Sequence, residues 1–164
     1  MRIALDQSIR TTGWSVYNED KMVDYGHWTI PSDKTIGERL TLFILNLKDL
    51  CDQYDDITDV VFEDISLQRG NVETYRKLAY VQAAIFLFCE YYGYDVDVLS
   101  PSKWRAILHE RRQIDLGKKR QEQKEKAQAF ISELYNIEPT EDEADSLCIG
   151  LAAHYYNRDK QSAF

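Results

Sequence analysis

Apolar positions open the chain in short, strand-length runs and later recur at helical spacing. Arg2 to Asp6, Gly13 to Tyr17 and Met22 to Ile30 read as three strands, and Asn18-Glu19-Asp20-Lys21 connects the last two as a hairpin. An antiparallel meander is the expected result. From about Thr35 to Tyr54, residues Ile36, Leu40, Phe43, Ile44, Leu47 and Leu50 fall on one helical face, ahead of a strand Asp59 to Glu63 built on Val60-Val61-Phe62. The order of elements is therefore β-β-β-α-β.

From about Val72 to Tyr92 a second helix carries Leu78, Val81, Ile85, Phe88 and Tyr92 on one stripe, and Ala79, Ala83, Phe86 and Leu87 around it. Apolar on so many sides, it reads either as a central core helix or as one that packs on the sheet and on a second subunit. Asp95 to Leu99 predicts a fifth strand, Pro101 starts a short helix containing Trp104 and Arg105, and Arg120 to Tyr135 makes another. In the last helix Thr140 is the expected N-cap, with Glu143 three residues on completing a capping box. Ala144, Leu147, Cys148, Leu151 and Tyr155 form its buried stripe, and Asp145 runs along the stripe's edge.

The 164 residues suit one domain, expected over residues 1–158 with a short polar tail at 159–164. Hydrophobic residues make up 44% and charged residues 29%, which is the composition of an ordered chain and not of a disordered one. The first strand begins at once, with no leader pattern and no apolar run of membrane-spanning length, so a cytoplasmic protein with no membrane partner is expected. Cys51, Cys89 and Cys148 lack metal-site or redox spacing and read as buried thiols. A net charge of −8 argues against a polyanionic partner until its distribution is considered. Between Lys103 and Lys126 nine basic residues stand against four acidic ones. Such a stretch is either a solvated helical face or a nucleic-acid footprint.

Four carboxylates carry the candidate chemistry. Asp6 ends the first strand, Glu63 ends Val60-Val61-Phe62, and Asp142 and Asp145 lie three apart in the last helix, on one face. Each has a structural alternative: Asp6 as a turn former, Asp142 as a helix N-terminal acid favoured by the macrodipole. Glu63 and Asp145 border apolar positions, where an unpartnered carboxylate is costly. Hard oxygen ligands without histidine or thiolate suit Mg²⁺, with Mn²⁺ as a substitute. Two such ions about 4 Å apart stabilise the attacking and departing oxygens of a phosphodiester displacement.

These residues resemble the RuvC-like Holliday junction resolvases of the ribonuclease H-like superfamily, in particular the short phage-type members. The resemblance rests on Ile3-Ala4-Leu5-Asp6 with Thr12-Gly13-Trp14, on Val60-Val61-Phe62-Glu63, on the helix 72–92, on Pro101-Ser102-Lys103-Trp104-Arg105 and on Asp142-Glu143-Ala144-Asp145-Ser146-Leu147. It implies an α/β fold with a five-stranded mixed sheet, three antiparallel strands then two parallel, flanked by helices on both faces. It also implies that Asp6, Glu63, Asp142 and Asp145 hold two metal ions, that helix 72–92 forms a homodimer, and that Lys124 or Lys126 touches the scissile backbone. If phage-encoded, the protein would work in the host cytoplasm.

Two departures from the family pattern stand out. Many members have Asp-Pro-Gly where this chain has Asp6-Gln7-Ser8, and the loop Ile65-Ser66-Leu67-Gln68-Arg69-Gly70 lacks an aromatic that could stack on junction bases. Relaxed sequence preference, with action on forks and other branched DNA, is the resulting expectation. The expected DNA-contacting residues are Arg69, Lys103, Arg105, Lys118, Lys119, Arg120, Lys124 and Lys126. The chain thus reads as a metal-dependent endonuclease that resolves four-way junctions by paired nicks. A branched-DNA-binding module of the same fold without turnover is the alternative, while an actin-like kinase would need a second domain and Gly-rich phosphate loops.

Overall fold

The computed structural model describes residues 1–65 and 72–162, with side chains described as far as Arg158. Five strands form one mixed sheet: β1 (Arg2–Asp6), β2 (Thr11–Asn18), β3 (Lys21–Thr29), β4 (Asp59–Glu63) and β5 (Asp95–Leu99). Their spatial order is β3-β2-β1-β4-β5. The first three are antiparallel neighbours, and β4 then pairs parallel with both β1 and β5. Five helices complete the chain: α1 (Ile36–Cys51), α2 (Val72–Tyr92), α3 (Pro101–Arg112), α4 (Arg120–Tyr135) and α5 (Glu141–Ser162). No helix among the described residues is long and apolar enough to cross a membrane.

Strand alternation divides the core in two. Ile3, Leu5, Val60 and Phe62 point to the side covered by α1 and α2, where they pack with Phe43, Leu47, Val81 and Ile85. Ala4 and Val61 point to the other side and pack with Trp104, Ile131, Leu147 and Leu151 from α3, α4 and α5. The same alternation aims Asp6 and Glu63, each two residues further on, at the α5 side.

Several boundaries differ from the sequence reading, each for a local reason. The β2–β3 hairpin is tighter than the four-residue connection expected, because Asn18 pairs with Lys21 and only Glu19 and Asp20 remain in the turn. Glu19 takes the left-handed backbone conformation that this tight reversal requires, φ 56°. Helix α1 stops at Cys51, short of Tyr54, and begins after a capping box between Thr35 and Glu38. The expected polar tail is not separate from the last helix, since α5 continues to Ser162. All three cysteines are buried free thiols, as their spacing suggested.

Helix α5 lies closest to the sheet and is tied to β2. Tyr17 donates its hydroxyl to the Leu147 carbonyl at 2.9 Å, and Ser15 Oγ donates to the Ser146 carbonyl at 3.0 Å. Close approach depends on Gly150, where a Cβ would fall 2.5 Å from the ring of the fully buried Tyr17. Gly150→Ala gains helix propensity of about 1 kcal/mol but overpacks this contact at a cost of about 1–3 kcal/mol. Net destabilisation is expected in urea unfolding, and an unchanged or higher midpoint would contradict this account of the packing.

Candidate active site

Parallel pairing of β1 with β4, with Leu5 opposite Phe62, brings Asp6 and Glu63 to neighbouring strand ends. On the other side of β1, Asp6 pairs with Gly13 of β2. Above Gly13 sits the first turn of α5, so close that a Cβ at position 13 would overlap the Asp142 carbonyl. The missing side chain lets the helix start rest on the strand rung beside Asp6. Asp142 and Asp145 thereby reach the same cleft of about 700 Å³ as Asp6 and Glu63.

The first turn of α5 is held on both flanks. Thr140 and Glu143 form the expected capping box: the Thr140 amide donates to Glu143 Oε2 at 2.7 Å, and the Glu143 amide to Thr140 Oγ1 at 3.3 Å. The other Glu143 oxygen accepts from His27 Nδ1 at 2.7 Å, from the strand beyond Gly13. Glu141 accepts from Lys124 Nζ at 2.6 Å. Glu141 and Glu143, the acids either side of Asp142, are therefore engaged by neighbouring donors, while Asp142 lines the cleft.

Electrostatics follow from crowding acids in a poorly hydrated place. Burial pushes the Asp6 carboxyl well up, and Asp145, Glu63 and Asp142 push it further, against a smaller pull from Lys124. Asp145 is raised to about 6, chiefly by burial, with Lys124 opposing and Glu63 adding. Burial also raises Glu63, although the Trp104 hydrogen bond and the nearby Arg105 and Arg120 pull it down. Lys124 shows the complement: burial lowers its pKa, but the Glu141 bond and the Asp145 charge outweigh that and raise it.

A divalent cation would offset this repulsion, and an all-oxygen donor set of carboxylates fits a hard ion. Among the described residues the side chains do not already converge as three ligands around one point. The four acids line one common cleft.

The basic residues divide by position. Arg105, Lys118, Arg120 and Lys124 line the cleft together with the acids. Three others expected at the DNA do not line it. Lys103 stacks over the Tyr156 ring at 4.5 Å, Lys119 occupies the N-cap position of α4, and Lys126 pairs with Glu122 at 2.8 Å on the helix surface. Of the two candidate lysines, Lys124 is thus the one facing the carboxylates; Lys126, two residues on, cannot share its side of α4. Arg69 falls outside the described residues.

Reasoning from sequence missed Gln7, His27, Gln82 and Trp104 as parts of the site. Gln82 left a signal, as a polar residue among the buried positions Val81, Ile85, Phe88 and Cys89 of α2. His27 left none, because its partner lies 116 residues away. A larger concavity of about 900 Å³ opens at the opposite end of the sheet, but its Arg2 and Asp59 form an ion pair and its Asp97 accepts from Asn157 at 2.8 Å. Those acids are engaged by neighbouring donors.

Comparison with known proteins points the same way. No family model matches the chain. Crossover junction endodeoxyribonuclease RuvC of Dictyoglomus thermophilum is 25% identical over 157 residues, covering 93% of this chain and 95% of that protein. The RuvC of Ehrlichia ruminantium is 29% identical over 92 residues, 52% of this chain and 56% of that one. Among solved structures, Thermus thermophilus RuvC in complex with a Holliday junction substrate superposes with a TM-score of 0.74 at 15% identity, covering 96% and 94% of the two chains. A yeast mitochondrial Holliday junction resolvase superposes at 0.53 and 17% identity, over 98% and 83%. The chain is thus similar in sequence to RuvC of Dictyoglomus thermophilum over nearly its whole length and shares the fold of Thermus thermophilus RuvC.

The raised Asp145 carboxyl has a consequence for stability. A group raised in the folded state stabilises the fold below its unfolded pKa and loses that contribution as pH rises through the folded value. For Asp145 the loss runs from about pH 4 through about 6. A rise of about two pH units corresponds to roughly 3 kcal/mol at most. In metal-free protein, Asp145→Asn should therefore gain about 1–3 kcal/mol at pH 8 and little at pH 4 by urea unfolding. An equal gain at both pH values would argue against charge crowding as the cause.

Proposed function

We propose that this RuvC-like chain is a divalent-metal-dependent, structure-selective DNA endonuclease that resolves four-way junctions by paired phosphodiester nicks. The observation that carries the reading is the meeting of four acids from three separate segments in one cleft, with Arg105, Lys118, Arg120 and Lys124 beside them. A binding module has no use for half-buried, crowded carboxylates. A nuclease needs them.

In this mechanism Asp6, Glu63, Asp142 and Asp145 would hold the metal, Mg²⁺ with Mn²⁺ as a substitute and two ions per site. When bound, the ions supply Lewis acidity and a nucleophilic water at neutral pH. The chain's own residues do the rest. Arg105, Lys118 and Arg120 bind non-bridging phosphate oxygens and orient the backbone across the acids, as guanidinium and ammonium donors do on any phosphate. Lys124, anchored by Glu141 at 2.6 Å, presents its ammonium beside Asp145, where it neutralises charge growing on the scissile phosphate.

Paired nicking requires two sites, and α2 supports a homodimer. Tyr80, Leu87 and Tyr91 form an exposed stripe at helical spacing, with Leu87 72% and Tyr91 81% accessible. Large apolar side chains so exposed on one helix mark an interaction surface. Relaxed sequence preference is supported by the loop after Glu63, which offers no aromatic for base stacking.

On labelled four-way, forked and duplex DNA with Mg²⁺, the wild type is expected to nick the branched substrates in preference to the duplex. Glu63→Gln should lose at least about a hundredfold in nicking while still shifting junction mobility. Undiminished nicking by that variant would remove the cluster from the active site. Lys118→Ala and Arg120→Ala should each flatten the slope of log affinity against log salt by about 1. Leu87→Glu combined with Tyr91→Glu should yield monomers in sedimentation and uncouple the two nicks; a persistent dimer would place the interface elsewhere.

A further inference from the structure

Glu63 is gripped by three side-chain donors from three separate segments. Trp104 Nε1 of α3 donates to Glu63 Oε2 at 2.6 Å. Gln7 Nε2, just past β1, and Gln82 Nε2 of α2 both donate to the Glu63 main-chain carbonyl, at 2.6 Å and 2.9 Å. Because a carbonyl only accepts, each glutamine must present its nitrogen there, which fixes the amide orientation.

We infer that Trp104, Gln7 and Gln82 are positioning residues that fix Glu63 at the end of its strand, with one carboxylate oxygen held and the other left to face the cation; this rests on the reading of Glu63 as a metal ligand. Trp104 suits the task because its ring is 1% exposed, packed among the residues on the α5 side of the sheet, and cannot swing away. Its indole nitrogen is a donor only, so it never competes for the metal. Arg105 stacks over the same ring at 4.6 Å and closes it from the cleft side.

Gln7 supplies an independent argument. Its side chain is 6% exposed, and its Oε1 has no hydrogen-bond partner among the described residues. A buried glutamine left with one half unsatisfied is costly, and the half that is satisfied holds Glu63. Gln82 repeats the pattern, a buried amide in an otherwise apolar stripe that spends its donor on the same carbonyl. Partners that orient a ligand commonly contribute tenfold to a hundredfold in metal affinity.

Calorimetric titration of the full chain with Mn²⁺, without DNA, tests the inference. Trp104→Phe is expected to weaken Mn²⁺ binding about tenfold to a hundredfold, and Gln7→Met and Gln82→Met by several-fold each. Indole emission provides a second readout that a merely structural tryptophan would not move: the change on Mg²⁺ addition to wild type should vanish in Trp104→Phe. A folded Trp104→Phe that binds Mn²⁺ within about twofold of wild type overturns the inference. If circular dichroism finds that variant unfolded, the two glutamine variants decide, and wild-type affinity in both overturns it. Glu63→Gln separates the two levels. Should it too keep wild-type affinity, Glu63 is not a ligand and the metal reading fails; should it lose affinity while the positioning variants keep it, only the positioning role fails.

Discussion

The contact on which the site depends is the absence of a side chain at Gly13. The first turn of α5 descends onto the sheet until the Asp142 carbonyl occupies the space a Cβ would fill. Asp6 pairs with Gly13 on one side and His27 pairs with it on the other. One rung of the sheet thus carries a candidate ligand, the gap that admits the helix, and the residue that anchors the helix through Glu143. Packing further along α5, with Gly150 against Tyr17 and the Tyr17 hydroxyl on Leu147, holds the descent in register.

Such a site works against the fold that contains it. Burial raises Asp6, Glu63 and Asp145, and neighbouring cluster acids add to the rise at Asp6 and Asp145, so the cleft is least comfortable at the pH where all are ionised. The surrounding residues answer by restraint and by compensation. Trp104, Gln7 and Gln82 hold Glu63, Thr140 and His27 hold Glu143, and Glu141 keeps Lys124 close enough to counter Asp145. At the opposite end of the sheet, Arg2 pairs with Asp59.

Much of the molecule was legible along the chain because periodicity reports burial. Helix α2 over Val72–Tyr92, strand β5 over Asp95–Leu99 and the Thr140 capping box all emerged from patterns within a few residues. Helical spacing put Asp142 and Asp145 on one face, and strand alternation aimed Asp6 and Glu63 at the same side of the sheet. Features set by partners or geometry beyond that range were not legible. Lys103 lies over the Tyr156 ring and Lys126 pairs with Glu122, directions that a charge count does not carry. The polar residues after Asn157 looked like a tail, yet the backbone of α5 continues through them to Ser162.

Sequence alone determined the identity of the four acids, the elements that carry them and the hard-oxygen chemistry they offer. Those follow from residue type and local period, which the chain states directly. Only the tertiary structure decided which acids share a cleft, that Glu141 and Glu143 are spent on Lys124 and His27, and that Lys124 rather than Lys126 faces the carboxylates. Only it brought Gln7, Gln82 and Trp104 onto Glu63 across as many as 56 residues of chain. The reason is physical: a hydrogen bond is fixed by angle and distance in space, and when its partners lie on different elements no local pattern encodes their meeting.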